Sequence, residues 1–381
     1  MTIVKVETFS VAPRWLFVRI ETADGVVGWG EGSLEGHTDA VRAAITQFAE
    51  HLVGADPSRI EDHWQVLTKG GFYRGGAVLA SAVSGIDQAL WDIAGKTLGV
   101  PVHRLLGGAV RDRIRAYGWV GGDDPSEVGD HIAAQLEVGL TAVKMNASGR
   151  MSRNGSVREL DDVVQRVAVA RAVLGPDRDV AVDFHGRFTL ASSRRMAPLL
   201  EQFHPFFLEE PVAPENSHMI GEFARSTTIP VATGERLYSR QEFLPVLQAG
   251  IAIAQPDLSH AGGISEVRRI AALAETFDVQ LAPHCPLGPI ALASCLQVGF
   301  ATPNYLIQEQ SIGIHYNAGA EVLDYVVDTE PLKFVDGHFE LLTAPGLGIE
   351  IDEAAVRAAD ARGTAWRTPL WRHADGSFAE W

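Results

Sequence analysis

The chain has 381 residues, 46% hydrophobic and 21% charged, with 38 Gly and 19 Pro, an ordinary globular usage that excludes collagen, coiled coil and general disorder. At roughly 150 residues per domain its length allows two or three domains, or one barrel with an added domain. A net charge of −16 makes any broad surface field negative, so neither nucleic acid nor an anionic membrane is an expected partner. A small anionic substrate stays compatible if a metal or a local Arg/Lys cluster reverses the sign inside one pocket.

Cys285 and Cys295 are the only cysteines, the opening MTIVKVETFS has no basic region followed by an apolar run, and no apolar stretch reaches membrane-spanning length. A reducing cytoplasm is therefore the expected compartment.

In chain order, residues 3–10 and 16–20 predict strands. Asp24-Gly25 predicts a hairpin that returns through 26–31, because Asp-Gly accepts the positive φ of a tight turn. Apolar residues at three and four spacing then predict helices over 37–53, 60–69 and 76–98. Strands followed by helices indicate an α+β capping domain, placed at residues 1–125. From 141 onward short apolar strands alternate with helices: 141–146, 180–185, 206–210, 230–235, 251–257, 279–284 and 305–310. Seven strands in succession favour a closed barrel over an open sheet, and no G-x-G-x-x-G follows the first strand. The expected fold is α/β, a modified TIM barrel of (β/α)7β type at 126–328, with 329–381 returning to complete the capping domain. The Gly/Ser/Arg-rich stretch 147–158 is expected to be mobile.

Ionisable residues recur at the strand ends. Asp183, Glu209, Glu235, Asp257, His284 and Glu309 follow one another at intervals of 26, 26, 22, 27 and 25 residues, about one βα unit each, which places them at the C-terminal mouth of the barrel. Three converging carboxylates, Asp183, Glu209 and Glu235, need a cation. Their oxygen-only chemistry favours Mg²⁺ over zinc, for which no His pair stands at ligand spacing. Strand alternation allows Glu209 or Glu210 to enter the barrel but not both, and phase selects Glu209. His185 shares a face with Asp183, and Lys144 with Asn146; a lysine inside a barrel needs a charge partner or a task. Asp257 and His284 form a candidate dyad, the carboxylate fixing the imidazole tautomer. Cys285 points away from His284 and is set aside as a nucleophile. A metal-bound carboxylate with a His base suits proton abstraction α to that carboxylate, and a second His suits expulsion of a β-hydroxyl.

The series Asp183, Glu209, Glu235, with Lys144-x-Asn146 before it and Asp257 and His284 after it, resembles the mandelate racemase subgroup of the enolase superfamily, where a Lys or His base works with Mg²⁺. Within it the sugar-acid dehydratases are most similar, through FYRGG from Phe72, DFHGR from Asp183, EEPV from Glu209, GER from Gly234, QPDLSHAGGI from Gln255, APHCPLGPIALA from Ala282, QEQSIGIHYN from Gln308 and PLWRH from Pro369. The likeness runs from Arg14-Trp15 to Glu380-Trp381. It implies one Mg²⁺ per subunit on Asp183, Glu209 and Glu235. His284, polarised by Asp257, would take the C2 proton of a small sugar acid. His185 would protonate the departing C3 hydroxyl, Glu309 would donate to the enediolate, and Lys144 would stabilise negative charge. Asn146 stands where racemases carry a second basic lysine, which disfavours racemisation. The resemblance also implies a homo-oligomer, and contacts from the capping domain to the far end of the substrate through Arg14, Trp15, Tyr73 and Arg74. A different sugar acid, a catalytically idle barrel and a zinc hydrolase are the competing readings.

Overall fold

The structure, a computed structural model, describes residues 1–121, 125–314, 317–364 and 366–381. His315 and Tyr316 of the QEQSIGIHYN run lie outside the described residues. The first unit is an antiparallel meander of β1 (Ile3–Val11), β2 (Trp15–Thr22) and β3 (Val27–Glu31). Helices α1 (Thr38–Leu52), α2 (Ile60–Lys69) and α3 (Ala77–Leu98) follow, and the short α4 (Val102–Leu105) leads out. One face of the meander, Leu16, Val18 and Ile20, is buried against Ala82, Ile86, Ala89 and Ile93 of α3, the one-sided burial that its alternating pattern requires.

Eight parallel strands form the second unit: β4 (Arg113–Val120), β5 (Ala142–Asn146), β6 (Asp179–Asp183), β7 (Leu208–Glu209), β8 (Val231–Thr233), β9 (Ile253–Ala254), β10 (Gln280–Leu281) and β11 (Gln308–Gln310). They pair in chain order, β11 returns to β4, and a bridge from Leu281 to Tyr305 closes the ring. The helices between them are α5 (Pro125–Glu137), α6 (Val157–Leu174), α7 (Leu190–Leu200), α8 (Ile220–Ala224), α9 (Arg240–Gln248), α10 (Gly263–Glu275) and α11 (Pro289–Ala301). Eight strands and seven helices make the expected (β/α)7β barrel.

Three expectations are corrected. The barrel begins at β4, before the expected 125/126 boundary; the strand's alternation is visible, but only its pairing with β5 and β11 assigns it to the barrel. Residues after 329 do not go straight to the cap: β12 (Phe334–Val335) and β13 (His338–Glu340) form a hairpin whose β13 pairs antiparallel with β4, and α12 (Glu353–Arg362) then packs on β1. The 147–158 stretch is tied down, with Ser152 bonded to Glu159, Ser156 in a capping box, and Arg187 donating to the Ser148 carbonyl. Helix α11 gave no sequence signal because nearly all of it is buried, so it has no amphipathic period to detect.

Buried carboxylates of the cap sit on the N-termini of barrel helices. Glu31 accepts from the Gly288 and Ala291 N–H groups at 2.9 and 3.0 Å at the start of α11. Asp87 of α3 accepts from the Ser265 N–H at 3.0 Å and its hydroxyl at 2.6 Å at the start of α10. Helix N-termini offer unsatisfied N–H groups and a positive dipole end, so these carboxylates dock cap to barrel. Gly263 has φ +76, and a Cβ there would stand 2.5 Å from Asp87 Oδ2; a side chain would push the docking carboxylate away.

Candidate active site at the barrel mouth

Inside the barrel, a floor of Tyr117, Ala142, Ala181, Phe207, Ala232, Ile253, Ala282 and Ile307 is buried as one apolar cluster. Two residues further along the same interior face of each strand come Lys144, Asp183, Glu209, Gln255, His284 and Glu309. The period of two therefore lifts a polar ring one layer above the floor. Only the end of β8, at Glu235, breaks the phase: Gly234, at φ +146, advances the chain by one residue and turns Glu235 inward. Glu210 leaves the interior and pairs with Arg236, so the choice of Glu209 by phase agrees with the fold.

Lys144 Nζ stands 2.7 Å from Glu209 Oε1 and 2.9 Å from Glu309 Oε1, with all three side chains buried. Burial opposes its charge, but Glu209 and Glu309 hold its pKa well above the usual lysine range. The second oxygen of Glu209 accepts from Gln255 Nε2 at 2.6 Å, and that of Glu309 from the Cys285 N–H at 2.8 Å. Burial likewise opposes the Glu309 charge, and Lys144 first, then His284, keep it below the usual carboxylate range. Glu309 accepts from Lys144 Nζ and from the Cys285 N–H, so the residue that the resemblance makes a proton donor stands directly beside a second donor, Lys144.

Asp183 and Glu235 behave oppositely. Burial, then the charge of Glu209, pushes the Asp183 carboxyl well above its ordinary range, and burial followed by Glu210 pushes Glu235 up to about 8. Burial raises Glu209 as well, against Lys144. Four buried carboxylates around one ammonium leave the mouth short of positive charge, and the Oδ1 of Asn146 is buried with no hydrogen-bond partner. An oxygen-only set of this kind fits a hard divalent cation. The oxygens of Asp183, Glu209 and Glu235 do not all lie within 4.8 Å of one another; among the described residues the group that does is Asp257, His260 and His284. In that cluster Asp257 is hydrogen-bonded to His284 and has His260 nearby. His284 Nδ1 is 2.7 Å from Asp257 Oδ2, His260 Nδ1 is 3.6 Å from the same oxygen, and His260 Nε2 is 2.7 Å from the Ser33 carbonyl.

The dyad expected between Asp257 and His284 is thus formed. Although burial opposes its charge, Asp257 is held below its usual range by His260 and His284. His284 is raised well above the usual imidazole range: burial opposes this, but Glu235, 3.5 Å from Nε2, and the Asp257 bond outweigh it. His185 is shifted the other way, well below its usual range, by burial and by the Arg187 and Arg236 cations. Its φ of +54 is left-handed, an uncommon conformation for a non-glycine residue, fixed here by a 2.6 Å bond from its N–H to Asp183 Oδ1.

These groups open into a cavity of about 810 Å³ between barrel, cap and residues 366–381. Lys144, Asn146, Asp183, Glu235, His185, His284 and Glu309 line it, as does Arg14. The Arg14 fork also supports the wall, bonding Glu35 at 2.5 Å, Asn317 at 3.0 Å and the Pro286 carbonyl at 2.7 Å. The other cap contacts are corrected. Trp15, next to Arg14, points to the opposite face and packs fully buried on Phe17 and Tyr325. Tyr73 is 88% exposed and Arg74 bonds back to the Gly71 carbonyl; neither lines the cavity. Sequence reasoning missed Arg187, Arg236 and His260, and also Trp366, Trp371 and Trp381. The first three stand inside the DFHGR, GER and QPDLSHAGGI runs, a signal that was available. Trp371 and Trp381 stand in the PLWRH run and the closing Glu380-Trp381, while Trp366 gives no signal; only the return of the chain brings all three to the mouth.

The barrel with polar residues on successive strand ends defines an enolase-type fold, and the comparisons agree. Residues 3–107 match the mandelate racemase / muconate lactonizing enzyme N-terminal domain, and residues 127–355 match the enolase C-terminal domain-like family. The chain belongs to this mandelate racemase / muconate lactonizing enzyme family of the enolase superfamily. It is 53% identical over 382 residues to D-galactonate dehydratase of Verminephrobacter eiseniae and 52% to that of Cronobacter sakazakii, covering 100% of both chains in each case. Among solved structures it is similar to an enolase from Agrobacterium radiobacter with bound sodium and L-malate, with a TM-score of 0.90 and 33% identity over 100% of both chains. It is also similar to a mandelate racemase/muconate lactonizing enzyme from Jannaschia sp. CCS1, with a TM-score of 0.88 and 32% identity over 97% of this chain and 100% of that one. Among the described residues no helix is long and apolar enough to cross a membrane.

Proposed function

We propose that this protein is a Mg²⁺-dependent hydro-lyase that converts D-galactonate to 2-dehydro-3-deoxy-D-galactonate. The observation that carries the reading is that two histidines line the same cavity as one carboxylate cluster, His284 with Nε2 3.5 Å from Glu235 and His185 bonded through its backbone N–H to Asp183, together with full-length likeness to D-galactonate dehydratases.

Asp183, Glu209 and Glu235 would hold one Mg²⁺ per subunit. When bound, the cation supplies positive charge at the substrate carboxylate as C2 loses its proton. With Glu235 committed there, His284 keeps Asp257 on Nδ1 and presents Nε2 to C2; the proton passes to Nε2 and the C–H electron pair delocalises onto the carboxylate. Lys144 donates toward that developing charge, held in place by Glu209 and Glu309. The C3–O bond then breaks with a proton from His185 Nε2, water leaves, and the enol tautomerises to the 2-keto acid. An anionic substrate offsets the Arg187 and Arg236 charges that disfavour the His185 imidazolium. Asn146, with its unpartnered oxygen, faces a substrate hydroxyl, and Arg14 closes the far wall.

Both cysteines are buried thiols, which supports a cytoplasmic enzyme. The test is a screen of aldonic and aldaric acids with Mg²⁺ for 2-keto-3-deoxy acid. D-Galactonate is expected to lead, with chelation stopping turnover and Mg²⁺ restoring it. Brisk turnover of gluconate, arabinonate or an aldarate with none of D-galactonate would reject the substrate.

A further inference from the structure

His284 has an obvious orienting partner, since Asp257 comes from the neighbouring strand end. His185 has no side-chain carboxylate on its Nδ1. That nitrogen lies 2.8 Å from the main-chain oxygen of Trp381, 196 residues away in sequence. The Trp381 ring meets the imidazole edge to face, with centroids 5.7 Å apart and planes at 89°.

The segment that brings it there is anchored twice to the barrel beside His185. In β14 (Trp371–Arg372), which pairs with β15 (Phe378–Ala379), Trp371 lies under the Arg187 guanidinium at 4.8 Å, and the Arg372 carbonyl accepts from Arg150. Trp381 in turn packs on Trp366 at 6.4 Å. Arg187 follows His185 by two residues, so the same short loop carries the acid and grips the strap.

A main-chain oxygen can only accept. It therefore fixes the proton on Nδ1 and leaves Nε2 toward the cavity, the service that a carboxylate performs in other His sites. We propose that Trp381 is the positioning residue of His185: its oxygen sets the tautomer and ring orientation of the leaving-group acid, so that residues 366–381 hold the barrel's acid in place. This rests on the dehydratase reading of the site. During the step the Nδ1 proton stays on the Trp381 bond, and only the Nε2 proton moves to the C3 oxygen.

The test compares the full chain, a chain lacking residues 378–381, Trp381→Ala and His185→Asn, each loaded with Mg²⁺ and D-galactonate in D₂O. Removal of 378–381 is expected to lower dehydration by about a hundredfold or more, the range of a displaced general acid. Exchange of the C2 hydrogen should stay within about fivefold of the full chain's turnover. Adding His185→Asn should cost little more, and Trp381→Ala, which keeps the oxygen, should retain most activity. Equal loss of exchange and dehydration, no loss, or a Trp381→Ala defect as large as the deletion would each overturn the proposal. Nitrogen-15 spectra of the histidines without substrate give a second readout: His185 should be the Nδ1–H tautomer in the full chain and lose that preference in the deletion. That signal tests the orienting bond even if no sugar acid is turned over, which would instead count against the dehydratase reading.

Discussion

His284 Nδ1 meets Asp257 Oδ2 at 2.7 Å while its Nε2 lies 3.5 Å from Glu235, so one imidazole stands between two carboxylates. With Asp257 on one nitrogen, the other is the only place for a substrate proton. Asp257→Asn should therefore leave the fold intact but permit the wrong tautomer, lowering kcat by about two to four orders of magnitude, the span of a lost acid–base contribution. Steady-state kinetics beside a circular-dichroism melt checks this; a change below tenfold would remove Asp257 from the proton path.

The two histidines come from different strand ends and carry different proposed roles, so their losses should separate. His185→Asn is expected to exchange the C2 hydrogen with solvent deuterium yet fail to dehydrate, and His284→Asn to do neither. Proton NMR of D-galactonate in D₂O reads both, and the reverse pattern would exchange the roles of acid and base.

Lys144 is the ammonium at the centre of the cluster, bonded to two buried carboxylates. Lys144→Met removes the charge and keeps most of the volume, leaving Glu209 and Glu309 without their shared partner. Breaking a buried pair in this way costs about 3–5 kcal/mol. Urea unfolding of the metal-free protein should show a loss of that order, together with lost turnover; unchanged stability would mean that water or Gln255 already satisfies Glu209.

The cap–barrel seam makes stability pH-dependent. Burial pushes both Glu31 and Asp87 up to about 7, against the helix N–H groups and hydroxyls they accept from. A folded pKa above the unfolded one means that the folded state binds extra protons between the ordinary carboxylate range and about pH 7. That contribution is fully present below the unfolded pKa and is lost as pH rises through about 7. Unfolding free energy should thus decline from pH 5 to 7.5, and Glu31→Gln or Asp87→Asn should flatten the slope. A slope unchanged in both variants would place the titration elsewhere.

Much of the site is legible from the chain alone because a barrel strand repeats every two residues and a βα unit every 22 to 27. That periodicity determined Asp183, Glu209, Asp257, His284 and Glu309 as one ring, and it separated Glu209 from Glu210. It also yielded the meander and three helices of the cap, whose patterns are amphipathic and local. Tertiary structure alone decided the rest. β4 joined the barrel through its pairing, α11 was hidden by burial on all sides, and Trp15 turned into the core beside Arg14. Glu309 acquired Lys144 as its partner because the two strand ends converge inside the barrel. The partner of His185 arrives from 196 residues away, and no local pattern encodes a contact whose two halves meet only when the chain returns across the barrel mouth.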